Sequence, residues 1–138
     1  MSMMKIFDIS GSAVSAQSQR LNVVASNLAN VDTVAGPDGK AYKGREVTFQ
    51  TVLMNTPDGA PGAGVKVAGV TENQAPGRKV HDPANPSADA DGYVTYSNVN
   101  AVDEMVNMIS ASRSYQNNIE VMNTAKTLLM KTLQMGQG

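Results

Sequence analysis

Met3 to Val31 reads MMKIFDISGSAVSAQSQRLNVVASNLANV, and its apolar residues recur at helical spacing. Phe7, Val14, Leu21 and Leu28 return every seven residues, with Val24 and Val31 at the complementary heptad positions. Ser10 and Gln17 interrupt that second row. At the far end, 100–135 reads NAVDEMVNMISASRSYQNNIEVMNTAKTLLMKTLQM. There Met105, Met108, Tyr115, Ile119, Met122, Leu129 and Leu133 follow the same alternation of three and four, broken by Ser112 and Lys126. Two long stripes at sequence-distant ends predict that the ends pair with each other.

The first stripe is carried by an unusual helix. Its charges are essentially Lys5, Asp8 and Arg20, and its remaining polar positions are Ser, Asn and Gln. Ser and Asn compete for backbone hydrogen bonds, and the Glu/Lys pairs that support a solvated single helix are missing. Such a helix is marginal alone and is expected to meet partners on more than one face, its small polar side chains turned to neighbouring chains. The last helix has a clear start: Asn100 is a good N-cap, Asp103 stands three residues on as a variant capping box, and Asp103 with Glu104 places negative charge at the positive end of the helix dipole. About 35 residues at 1.5 Å each make a rod of roughly 50 Å, too long for the core of a small compact domain.

The middle matches neither end. Gly36-Pro37-Asp38-Gly39 is turn chemistry that stops a helix. Glu46 to Met54 holds the β-branched and aromatic run Val47, Phe49 and Val52, and Thr56 to Gly64 is a turn-rich stretch around Pro57, Gly59 and Pro61. A strand of about six residues follows around Val65 and Val67, and a third around Tyr93, Val94 and Tyr96. Prolines at 76, 83 and 86 predict irregular extended chain from Ala75 to Asp91. The expected fold is α+β and mainly α: terminal helices (1–33 and 99–138) paired as an antiparallel coiled-coil-like core, with a small β or extended module (34–98) between them.

Composition removes several classes of function. The net charge is −1 with Lys and Arg scattered over 138 residues, so no basic field draws nucleic acid or an anionic membrane. No cysteine is present, which excludes disulfides and thiolate metal sites. Lys5 is followed by only Ile6 and Phe7 before Asp8, unlike a secretory signal, and no stretch approaches the ~20 apolar residues of a membrane span.

Catalytic chemistry is equally poorly supplied. His81, beside Asp82, is the one histidine, and neither a second histidine nor a Gly-x-Ser-x-Gly elbow accompanies it. Ser87-Ala-Asp89-Ala-Asp91-Gly92 resembles half of a calcium loop, but Ser87 replaces the leading Asp and Asn98 the bidentate Glu, so it reads as an Asp-Gly turn before the strand at Tyr93. Gly59 to Gly64 lacks the Gly-Lys-Ser/Thr ending of a phosphate loop. The nine methionines, several on the last helix, read as packing residues before they read as a partner groove. No enzyme activity, metal or cofactor is expected; the competing readings are an adaptor docking through its Met-rich helix and a small metal enzyme around His81.

Val24-Ala-Ser-Asn27-Leu-Ala-Asn30-Val-Asp-Thr33 resembles the N-terminal motif of bacterial flagellar axial proteins, the rod and hook family. Asn98-Val-Asn100-Ala-Val-Asp-Glu104 through Met108, Arg113, Tyr115 and Asn118 is similar to that family's C-terminal motif. Pro37-Asp-Gly39, Tyr42, Val47-Thr-Phe49, Asp82-Pro83, Pro86, Ala88-Asp89 and Asp91-Gly-Tyr93-Val94 narrow the resemblance to the proximal rod. Gly44, Asn85 and Ser87 depart from it.

The resemblance implies a structural subunit stacking helically in the basal-body rod, part of the torque-transmitting shaft, with its terminal helices lining the export channel. Implied partners are further copies, other rod proteins, membrane-ring and export-gate adaptors at the rod base and the type III export apparatus, with neither nucleic acid nor membrane insertion. The implied location is the periplasmic rod, reached without a cleaved signal. Asn27 and Asn30 would bond across helices or to neighbouring chains, and Phe7, Val14, Leu21, Val24, Leu28, Val31, Met105, Met108, Tyr115, Ile119, Met122, Leu129 and Leu133 would form the helix-pairing and assembly surface.

Overall fold

A computed structural model describes residues 3–55, 59 and 61–136. Thr56, Pro57, Asp58 and Ala60 of the expected turn, and the outermost two residues at each end of the expected terminal segments, lie outside the described residues. The elements are α1 (Met3–Ala29), β1 (Arg45–Met54), β2 (Gly62–Glu72), β3 (Lys79–His81), β4 (Tyr93–Thr95) and α2 (Ala101–Gly136). The fold is α+β and mainly α, with the two long helices packed together. β1 pairs with β2 and β3 with β4 in two separate two-stranded sheets.

Local chemistry explains the boundaries. α1 stops where Asn30 donates its backbone N–H back to Ser26 and Asn27, and the chain then turns at Gly39, which has φ +73°. Asp38 Oδ1 holds that turn by accepting the Lys40 N–H at 3.1 Å. α2 starts as its sequence requires: Asn100 Oδ1 accepts the N–H groups of Val102 (3.0 Å) and Asp103 (3.3 Å). Among the described residues the Asp103 carboxylate makes no return bond, so only half of a capping box is present.

The chain divides into two compact units. The first comprises Met1–Leu21, Thr48–Gly69 and Ser110–Gly138. Its buried positions are mostly small, Ala16, Ala111, Ala125, Ser10 and the glycines 62 and 64, with Lys5 the one long side chain among them. Ser12 Oγ donates to the Ile9 carbonyl (2.7 Å) and accepts the N–H of Val65 in β2 (3.1 Å), tying α1 to the sheet. A Cβ at Gly62 would meet the outer end of the Lys5 side chain, which packs over this glycine.

The second unit comprises Asn22–Val47 and Val70–Ile109. Here the stretch expected to be irregular contains β3, which pairs antiparallel with β4 in the register Lys79↔Thr95, Val80↔Val94 and His81↔Tyr93. Three residues between Pro76 and Pro83 are too few to show a period of two, which is why sequence pattern misses the strand. Val94 is fully buried, while His81 is exposed with its ring edge-to-face on Tyr93 at 5.0 Å. At the end of this ribbon Asp89 Oδ1 accepts the N–H groups of Asp91 and Tyr93, both at 2.9 Å, and Gly92 takes φ +82°. The carboxylate that a calcium loop would offer a cation is holding a turn.

Many polar side chains on the helices bond to their own helix. Asn30 Nδ2 donates to the Ser26 carbonyl, Asn118 Nδ2 to Ser114, Thr127 Oγ1 to Asn123 and Thr132 Oγ1 to Leu128, all at 2.7–3.0 Å.

Candidate functional site

With little catalytic chemistry in the sequence, the residues to place are those that pin the helices and those that leave apolar surface open. In the second unit, two asparagines do the pinning. Asn27 is buried to 1% exposure; its Oδ1 accepts the Arg45 N–H (2.9 Å) and the Tyr42 hydroxyl (3.0 Å), and its Nδ2 donates to the Arg45 carbonyl (2.8 Å). Ser26 Oγ adds a hydrogen bond to the same hydroxyl at 3.1 Å. Asn98 serves the neighbouring residue: its Oδ1 accepts the Gly44 N–H (2.7 Å), and its Nδ2 donates to the carbonyls of Asn73 (2.8 Å) and Ala75 (2.9 Å). The base of the β1–β2 ribbon is therefore fixed from α1 and from the segment leading into α2.

Asn27, Asn30, Ser12 and Ser26 satisfy their side chains inside the chain, and none of these bonds requires a neighbouring molecule. Spacing singles out neither Tyr42 nor Asn98, because a clamp on an irregular backbone has no period.

The apolar stripes divide unequally. On α1, Val24 is buried, Phe7, Val14, Leu21 and Leu28 are half-buried, and so is Val31 just beyond its end. Its exposed positions are a thin row of Met4, Asp8, Ser15, Gln19, Asn22, Ala25 and Ala29, so α1 is covered on most sides within its own chain. On α2 the covered row is Ala111, Tyr115, Asn118, Met122, Ala125 and Leu129, a run of four-three-four-three-four spacings. It shares Tyr115, Met122 and Leu129 with the expected stripe and is centred on the buried Ala111 and Ala125, with Ser112 half-buried beside it and Lys126 exposed. Small alanines allow close helix approach where a lysine would not, and the interruptions at 112 and 126 lie beside them. Ile119 remains half-buried at the margin.

Large apolar side chains stay open along the rest of α2. Val102, Met105, Val106, Met108 and Ile109 are 40–67% exposed, and Val121, Leu128, Met130, Leu133 and Met135 are also exposed. Met105, Met108 and Leu133 of the expected surface thus lie outward. Ten exposed large apolar side chains on one helix are more than scattered surface residues.

Sequence comparison places this arrangement. Residues 7–37 match the profile described as flagella basal body rod protein, and residues 90–135 match that of the flagellar basal body rod FlgEFG protein C-terminal. The flagellar basal-body rod protein FlgC of Escherichia coli O157:H7 is 58% identical over 137 residues, covering 99% of this chain and 100% of the relative. The chain belongs to the FlgC family. FlgC of Salmonella typhimurium is 58% identical over 140 residues with the same coverage, and FlgC of Bacillus subtilis 38% identical over 143 residues, covering 94% of this chain and 95% of its own. Both matched profiles fall on the FlgC helices and their flanks: one covers most of α1 and the Gly36 turn, the other β4, Asn98 and nearly all of α2. The chain is a structural subunit of the flagellar basal-body rod.

Proposed function

We propose that this subunit enters the rod through the outward faces of α2, with the paired terminal helices forming the layer that borders the export channel. The observation that carries this is the contrast between the two helices. α1 exposes little apolar surface, whereas α2 exposes ten large apolar side chains among the described residues. Surface of that extent on one helix is stabilised by burial against further helices, at roughly 25 cal/mol per Å² removed from water. In the rod those helices come from further copies and from other rod proteins, with membrane-ring and export-gate adaptors contacting the lowest subunits. Met105, Met108 and Leu133 belong to this intermolecular surface, while Phe7, Val14, Leu21, Val24, Leu28, Val31, Tyr115, Ile119, Met122 and Leu129 hold the pair together.

The subunit reaches the periplasmic rod through the type III export apparatus, and its work there is to carry torque through packed helices without chemistry of its own. Among the described residues no helix is long and apolar enough to cross a membrane.

Val106→Asp and Met105→Asp place carboxylates on the outward face without touching the covered row. Complemented cells should lose swimming, and basal bodies purified from them should lack the subunit, while the purified variants keep the far-ultraviolet circular dichroism of the parent. Normal incorporation of both variants would show that this face is solvated in the rod.

A further inference from the structure

The second unit carries a charged cavity that the helix-packing reading does not use. It holds about 640 Å³, and its walls include Lys40, Tyr42, Lys43, Arg45, Glu72 and Gln74. Three cations against one carboxylate make it basic in a chain whose net charge is −1. Those cations are uncommitted to acids. Lys43 Nζ donates to the neutral Gln74 Oε1 at 2.7 Å, and among the described residues neither the Lys40 ammonium nor the Arg45 guanidinium has a partner. Arg78, by contrast, is already answered by Asp32 at 3.6 Å and by the Tyr96 ring at 4.8 Å from its centroid.

The complementary feature is on the same unit. No Lys or Arg occurs between Lys79 and Arg113, and the connection from β3 to β4 carries Asp82, Asp89 and Asp91. Asp89 and Asp91 are exposed, and Asp89 Oδ1, with the Tyr93 carbonyl accepting the Asp89 N–H at 2.9 Å, fixes the turn before anything binds. A turn already ordered loses little entropy on docking. Its flanking Pro83 and Pro86 restrict it further.

The register puts the two charges at opposite ends of one ribbon. Thr95, paired with Lys79, lines the basic cavity, while His81↔Tyr93 is the pair next to the acidic turn. Two strand residues are about 7 Å, and the turn extends beyond them, so the turn cannot enter the cavity of its own chain without breaking the β3–β4 pairing. A second copy meets no such restriction.

We infer that the acidic β3–β4 turn of one subunit docks in the basic Lys40/Lys43/Arg45 cavity of the next copy. Such a contact joins two different patches, so it propagates into an open stack in place of closing as a dimer. It rests on the rod-subunit reading and adds to it a second, polar contact that sets register between copies. Opposite charges fix orientation more than they supply affinity, and the contact weakens as salt rises.

The cysteine-free chain makes a direct test possible. Lys40→Cys and Asp91→Cys variants are co-expressed in cells lacking the native copy, and basal bodies are purified and oxidised. The expected result is a disulfide dimer of this chain in the mixture, at least ten-fold above either variant alone. Incorporated cysteine variants that give no dimer, or that link only to a protein of another mass, overturn the inference and leave the rod reading standing. Absence of the unmodified chain from basal bodies would instead refute the rod reading. Should the cysteine variants fail to incorporate, charge reversal decides: Lys40→Glu or Asp91→Lys alone should cut basal-body content several-fold, and the double variant should restore it. No restoration overturns the inference.

Discussion

Asn27 holds Arg45 by both of its backbone groups, accepting the N–H at 2.9 Å and donating to the carbonyl at 2.8 Å. A single side chain thereby does for the first residue of β1 what a neighbouring strand would do. Because the amide is buried to 1% exposure, no water can replace it.

Replacing Asn27 with Ala should be among the most damaging single changes in the second unit. It orphans a backbone N–H and a carbonyl and leaves the Tyr42 hydroxyl only its Ser26 contact, at a cost of about 3 kcal/mol for buried polar groups left unpaired. Asn27→Asp should fail as well, since it cannot donate to the Arg45 carbonyl. Urea titration followed by circular dichroism reads both; an unchanged midpoint in either variant would show that the clamp is dispensable.

Two glycines should respond in opposite ways. A Cβ at Gly77 runs into the carbonyl oxygen of Tyr96, which as backbone cannot swing aside, whereas Gly69 has nothing within 4 Å of the same position. Gly77→Ala should lower the thermal midpoint and motility. Gly69→Ala should be neutral or gain about 0.5 kcal/mol from restricting the unfolded chain.

The covered faces of the two long helices should tolerate neither charge nor bulk. Leu28→Asp and Ile119→Asp place a carboxylate in half-buried helix surface, and both should abolish incorporation and swimming. Ala111→Leu adds volume at a position with 0% exposure and should cost about 1–3 kcal/mol by overpacking. Lys126→Ala, one residue beyond the buried Ala125, should leave basal-body content unchanged. Swimming-halo diameter and immunoblots of purified basal bodies separate these outcomes.

Asn100 should act as a cap and nothing more. Asn100→Ala removes the acceptor for Val102 and Asp103 and should cost about 1 kcal/mol of helix stability, while Asn100→Ser should recover most of it. Amide hydrogen exchange in the first turn of α2 provides the measurement, and equal protection in both variants would contradict the assignment.

Both long helices, the cap at Asn100, the Asp38-Gly39 turn and the strand at Glu46 to Met54 were legible in the residues, because each has a period or a local chemical signature. Four features were not. β3 is only three residues long, so alternation has no room to show itself. β2 runs from Gly62 to Glu72, well beyond the Val65–Val67 alternation, because glycine positions that α1 covers carry no hydrophobic signal. The phase of the covered row on α2 turned on Ala111 and Ala125, which read as bland residues in a list of apolar anchors yet are the ones that let helices approach. The pinning network around Gly44 was hidden for a related cause: hydrogen bonds from Asn27 and Asn98 to backbone depend on where the chain bends.

Asn30 just past α1 and the Asn and Thr groups of α2 that return their hydrogen bonds to the preceding turn have donors indifferent to their surroundings. Whatever lies alongside, whether water in transit, a sister subunit or an unlike one, Asn118 and Thr127 already have a partner for their donor. A side chain whose donor is already answered places no demand of its own on the surface it meets.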